Sequence, residues 1–178
     1  RAARQADFPA RFQLVSAMNP CPCGYLGDTG GRCRCSPDQV LRYRSRLSGP
    51  VLDRIDLQLF VPRVDREQLL DRGDAGESSA AVRARVIAAR GLQQQRQNKP
   101  NARLTVHELD RHARPEAAAQ ELLRQALHKL ALSARAYHRL LKISRSIADL
   151  DAAETIRAPH VAEALRYRDP QALADSQA

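Results

Sequence analysis

Four cysteines have the plainest capacity for chemistry. They fall as Cys21-Pro22-Cys23 and Cys33-Arg34-Cys35, two Cys-x-Cys pairs flanking a turn that contains Gly24, Gly27, Gly30 and Gly31. Two short knuckles can bring four thiolates to one tetrahedral cation. Sulfur ligation of that kind selects Zn2+ by default, with an iron–sulfur cluster as an alternative. The other reading is four reduced, uncoordinated thiols, because Cys-x-x-Cys is the commoner zinc knuckle. Structural disulfides do not suit a cytoplasmic chain.

Three polar residues could act on phosphate. Asn19 follows the short apolar run Phe12–Ala17 and precedes Pro20. In a nucleotide motor an asparagine at a strand end can orient the attacking water, whereas elsewhere Asn-Pro simply makes a turn. Arg54 lies just before Ile55–Val61. Offered to a neighbouring subunit it could stabilise charge on a γ-phosphate; locally it could pair with Asp53 or Asp56. Arg135 sits at the start of a regular amphipathic stretch, where packing could hold it rigidly with its head outward, or where it could be one surface cation beside Arg139 and Lys142.

The elements that must position these groups follow from the apolar spacing. Phe12–Ala17 and Ile55–Val61 read as strands, and Pro37 opens a helix that runs to about Leu47 before Ser48-Gly49-Pro50 breaks it. Two strands and one helix make an incomplete α/β unit, so order in residues 1–61 is expected to suffer from missing sheet neighbours. Beyond the polar stretch Asp71–Glu77 the chain reads as helical. Ser78 or Ser79 caps a helix with Val82, Val86 and Ala89 on one side, and Thr105 caps a short one. Pro115-Glu116 opens a third, Ser133 caps a fourth with a stripe of Ala136, Leu140, Ile143, Ile147 and Leu150, and a fifth starts around Pro159. The expected division is 1–63 for the α/β part with its cysteine loop, 64–77 for a linker, 78–170 for a helical bundle and 171–178 for a loose tail.

Composition sets the outer limits. The 178 residues carry a net charge of +9, almost all of it from arginine, since the lysines are Lys99, Lys129 and Lys142. Such a balance points to phosphate or nucleic-acid partners or to an arginine-rich solvated surface. Aromatics are 4% and tryptophan is absent, which argues against base stacking and favours contact with phosphates. No apolar run approaches the roughly 20 residues that span a bilayer, so the default expectation is a cytoplasmic chain without membrane partners. Met18 is the one methionine, and the chain is expected to be an excised piece of a longer one. The five histidines share no ligand spacing, and no nucleophile, base and orienter set emerges.

Taken together, the run from Phe8 to Tyr25, the stretch from Arg42 to Leu57 and the block Leu132-Ser133-Ala134-Arg135-Ala136-Tyr137 resemble the bacterial magnesium-chelatase-like AAA+ proteins called ComM or YifB. The resemblance extends to about Arg168. It implies an AAA+ α/β remnant followed by a helical lid, with Asn19 as sensor 1, Arg54 as an arginine finger and Arg135 as sensor 2. It also implies ATP with Mg2+, a homo-hexameric ring, and DNA as the partner, worked on by a branch migration helicase in natural transformation.

Two motifs of a complete member are missing. None of the three lysines follows a glycine, so no phosphate-gripping loop exists, and no Asp-Glu pair follows an apolar strand. Both are expected upstream of Arg1, and the chain alone is expected not to hydrolyse ATP. The competing expectation is a metal-stabilised basic module that binds DNA or a protein without motor activity.

Overall fold

The computed structural model describes residues 12–28, 30–62, 64 and 76–168. They divide into two compact units, one ending at Leu52 and the other starting at Asp53. Most of the expected linker, 65–75, and the expected tail lie outside the described residues.

In the first unit the cysteine loop leads into α1 (Pro37–Arg44). Ser36 begins it with a reciprocal cap: its hydroxyl accepts from the Gln39 amide at 3.3 Å, and the Gln39 side chain accepts from the Ser36 amide at 3.0 Å. The helix stops at Arg44 rather than near Leu47. Ser45 caps it, and its hydroxyl donates to the Arg42 carbonyl at 3.0 Å, a side-chain bond that competes with helix continuation. The Ser48-Gly49-Pro50 break contains a turn of helix, α2 (Gly49–Leu52), because proline gives up no needed amide in a first turn.

Neither expected strand pairs into a sheet. Among the described residues the β contact is an isolated parallel bridge between Pro115 and Ile156. A strand is stable only as part of a ladder, and Phe12–Ala17 finds no partner among the described residues: Phe12 is 77% and Val15 84% exposed. Residues 55–61 form no strand either: the chain bends at Asp56, and the Gln58 amide donates to the Tyr167 carbonyl at 2.8 Å. The chain is thus predominantly helical, and the α/β remnant is not seen among the described residues.

The second unit contains α3 (Ser79–Gln97), a 3-10 turn (Asn101–Arg103), α4 (Val106–His112), α5 (Ala117–Lys129), α6 (Ala134–Leu150) and α7 (Ala158–Arg166). Local chemistry explains the ends. Ser78, Thr105 and Ser133 each accept the amide of the third residue of their helix, at Ala81, Glu108 and Ala136, while Asn98 closes α3 in a left-handed conformation at φ 54°. Helix α6 packs against α3, α4 and α7, and α7 also against α5. Their shared core is Leu104, Leu109, Ala113, Ala119, Leu123, Leu140, Leu141, Ala148, Ile156, Val161 and Ala164.

The buried face of α6 is not the expected stripe. Ala136 and Leu140 are buried, but Leu141, Ser144, Arg145, Ala148 and Asp149 join them, Ile143 and Ile147 are half-buried, and Leu150 is 44% exposed. Contact from three helices makes the face broader than one stripe and brings a charged pair inside. Arg145 donates Nε to Asp149 Oδ1 at 3.1 Å and its outer nitrogens to the carbonyls of Glu154 and Ala153 at 2.8 and 2.5 Å. Arg96 of α3 forks onto Asp149 at 2.6 and 2.9 Å, and Asn101 adds a bond at 2.8 Å. On α3 burial begins only at Ala89, leaving Val82 and Val86 exposed.

Candidate functional site

The two Cys-x-Cys pairs converge. Cys21 Sγ lies 3.3 Å from Cys23 Sγ and 3.8 Å from Cys33 Sγ, with Cys23 and Cys33 3.7 Å apart. All four sulfurs lie within 4.8 Å of one another, and all are free thiols. Four sulfurs around one Zn2+ at about 2.3 Å would stand roughly 3.8 Å apart, so the spacing suits a tetrahedral thiolate site.

The loop is built to hold this arrangement. Gly24 and Gly27 adopt φ 79° and 83°, a left-handed backbone that strains any residue with a Cβ. The Gly24 amide closes the first knuckle on the Cys21 carbonyl at 3.0 Å. Between the pairs, Arg32 forks onto Asp28 at 2.8 and 2.7 Å and lies 4.8 Å from the centre of the Tyr25 ring. Cys21 is fully buried and the other three are half-buried. Backbone amides of Tyr25 and then Arg34, with the Cys21 side chain, bring the Cys23 thiol down to about 6. For Cys35 the Cys23 amide favours the thiolate, but the Cys23 side chain, desolvation and the Cys21 charge outweigh it and push the thiol up to about 12. Clustered thiolates repel one another, and a bound cation removes that penalty.

Asn19 sits directly before the first knuckle. It is exposed, and its side chain lies over Gly24, where an added Cβ would be 3.7 Å from Asn19 Cγ and Nδ2. Arg44 of α1 donates to the neighbouring Pro20 carbonyl at 3.3 Å. Asn19 and the thiol cluster therefore belong to one local structure.

Arg54 and Arg135 belong to the second unit, and both are exposed. The turn bearing Arg54 is joined to the start of α6, which bears Arg135. The Ser133 hydroxyl caps α6 by accepting the Ala136 amide at 3.1 Å and donates its own hydrogen to Asp53 Oδ2 at 3.4 Å. Asp53 and Asp56, on either side of Arg54, are reached by arginines distant in sequence: Arg168 meets Asp53 at 3.1 Å and Arg139 meets Asp56 at 3.3 Å. Lys142 is not a simple surface cation either, since its ammonium donates to the Ala102 carbonyl at 3.1 Å and burial pulls its pKa down.

Residues 76–168 match the family model described as magnesium chelatase, subunit ChlI C-terminal. The chain belongs to the magnesium chelatase ChlI family. Residues 1–69 match the companion model of magnesium chelatase, subunit ChlI. Within this family the chain is similar to the competence protein ComM of Haemophilus influenzae, with 50% identity over 94% of this chain and 33% of that protein. The YifB protein of Escherichia coli is 46% identical over 94% of this chain and 33% of its own length, and a Mycobacterium tuberculosis protein is 40% identical over 92% and 32%. The ComM and YifB resemblance read from the sequence therefore holds, while the chain spans about a third of the length of these curated relatives. No helix among the described residues is long and apolar enough to cross a membrane.

Proposed function

We propose that this ChlI-family chain is the sensing and lid part of an ATP-driven AAA+ ring that remodels DNA, as a ComM-like branch migration helicase in natural transformation. What carries the reading is the Ser133–Asp53 bond, which ties the Arg54 turn to the helix start bearing Arg135, in a chain half identical to ComM. In a homo-hexameric cytoplasmic ring, Arg54 would donate its guanidinium to the γ-phosphate held by a neighbouring subunit. Arg135 would contact phosphate from the lid, and Asn19 would orient the attacking water. Mg2+ bound with ATP supplies charge neutralisation at the phosphates. An exposed guanidinium with five fixed donors fits a phosphate, and both Arg54 and Arg135 are exposed. Nothing in the chain supplies a phosphate-gripping loop, so these residues answer to a nucleotide held elsewhere. In the intact protein Arg135→Ala is expected to change both ATP affinity and turnover, measured by nucleotide titration and phosphate release. Unchanged values for both would remove Arg135 from the nucleotide site.

Cys21, Cys23, Cys33 and Cys35 are proposed to hold one structural Zn2+. Four thiolates leave no open coordination position, so the ion would fix the loop beside Asn19 and do no chemistry itself. Protein purified without chelator is expected to contain about one zinc per chain, the number that one tetrahedral four-thiolate site takes, and Cys33→Ser is expected to lose it. A stoichiometry near zero with unchanged folding would refute the site.

A further inference from the structure

Two arginines of the helical unit grip the turn that carries Arg54. Arg139, in the second turn of α6, donates Nη1 to the Asp53 carbonyl at 3.0 Å and places Nε 3.3 Å from Asp56 Oδ1. Arg168, just beyond α7, donates Nη1 to the Ile55 carbonyl at 3.4 Å and Nη2 to Asp53 Oδ1 at 3.1 Å. The Arg168 side chain is only 8% exposed, so its charge has been taken out of water to make these bonds. The residues on both sides of Arg54 are therefore held from two places, α6 and the segment just beyond α7. No sheet ladder holds this segment among the described residues, and these bonds act in its place.

We propose that Arg139 and Arg168 are positioning residues for Arg54, a two-pronged clamp through which α6 and the end of α7 set where that guanidinium points. The proposal rests on the reading of Arg54 as a finger. A finger works only when held within about 0.5 Å of its productive position, and a solvent-exposed turn cannot supply that by itself. The clamp also has a consequence for coupling. Arg135 and Arg139 share the start of α6, one turn apart, so a shift of the helix as Arg135 meets phosphate is passed through Arg139 to the Arg54 turn. Occupancy of one subunit's nucleotide site would thus adjust the residue offered to another's.

The test uses the intact protein with Arg139→Gln and Arg168→Gln, each alone and combined with Arg54→Ala. Each single variant is expected to lower kcat for ATP about tenfold with KM within about twofold of wild type. On the Arg54→Ala background the same change is expected to cost less than about twofold, because the group being positioned is gone. Arg168→Lys, which keeps the charge but cannot fork onto two acceptors, is expected to fall between wild type and Arg168→Gln. Equal losses with and without Arg54 would overturn the clamp, as would wild-type kcat in both single variants when Arg54→Ala is inactive. Wild-type turnover in Arg54→Ala would instead overturn the finger reading. Should Arg168→Gln fail to fold, Arg139→Gln, whose side chain is 24% exposed, carries the test.

Discussion

Arg54→Ala in the intact protein is expected to lower ATP turnover by about a thousandfold, the lower end of what an arginine finger contributes, while nucleotide affinity changes by less than about threefold. The asymmetry comes from timing. Charge on the transferring phosphoryl oxygens grows toward the transition state, so a guanidinium aimed there from a neighbouring subunit stabilises the transition state more than bound ATP. Single-turnover hydrolysis and equilibrium binding of a fluorescent nucleotide separate the two effects. Equal rates in variant and wild type would end the finger role. An ion-pair role for Arg54 would instead appear as lost stability with kcat preserved.

Asp149→Ala is expected to be the most destabilising single change in the helical unit, by about 3–5 kcal/mol, the usual cost of leaving a buried cation without its partner. Asp149 is 2% exposed and receives Arg145, Arg96 and Asn101 together. Removing it leaves Arg145, 1% exposed, with carbonyl partners alone, and takes away the Arg96 fork between α3 and α6. Urea unfolding of the chain measures the loss, and a change below about 1 kcal/mol, the scale of a surface pair, would show that the network is incidental. The pH dependence gives a second check. Burial would raise the Asp149 pKa, but the bonds from Arg96 and Asn101 and the charge of Arg145 outweigh it and lower it below the ordinary value. A lowered folded-state pKa stabilises above the unfolded value and is lost as pH falls through the folded one. The gap between wild type and Asp149→Asn is therefore expected to be flat from about pH 5 to 8 and to close below about pH 4.

Helix starts were legible because they rest on local chemistry. Thr105 and Ser133, and Ser78 of the pair Ser78 and Ser79, cap where a hydroxyl precedes the helical run, and each satisfies an amide within its own turn. The convergence of the four thiols was legible for the same reason, since two knuckles close together constrain four sulfurs with little help from distant residues. Residues 12–17 and 55–61 carry strand-like patterns, but a strand depends on partners that no local pattern provides.

Arg145 and Asp149 were missed because an i, i+4 pair of opposite charges ordinarily marks a solvated helix face. Only the arrival of Arg96, from a helix far earlier in the chain, makes it an interior one. Arg139 looked like a surface cation from its neighbours on α6, and its bonds to Asp53 and Asp56 cross most of the second unit's sequence. Tertiary polar networks of this kind leave no periodic signature. A charged residue at the margin of an apolar stripe, with a complementary charge one turn away, is the one cue that could have pointed to Asp149.

The most direct test of the central claim is hydrolysis by mixed rings. Intact subunits with Arg54→Ala are combined with intact subunits whose phosphate-loop lysine has been replaced, each preparation being inactive alone. If the chain described here offers Arg54 to a nucleotide gripped by a neighbouring subunit, mixing creates interfaces with both parts intact, and ATP hydrolysis returns in proportion to their number. No recovery at any mixing ratio, with mixed rings shown to form, would contradict the account.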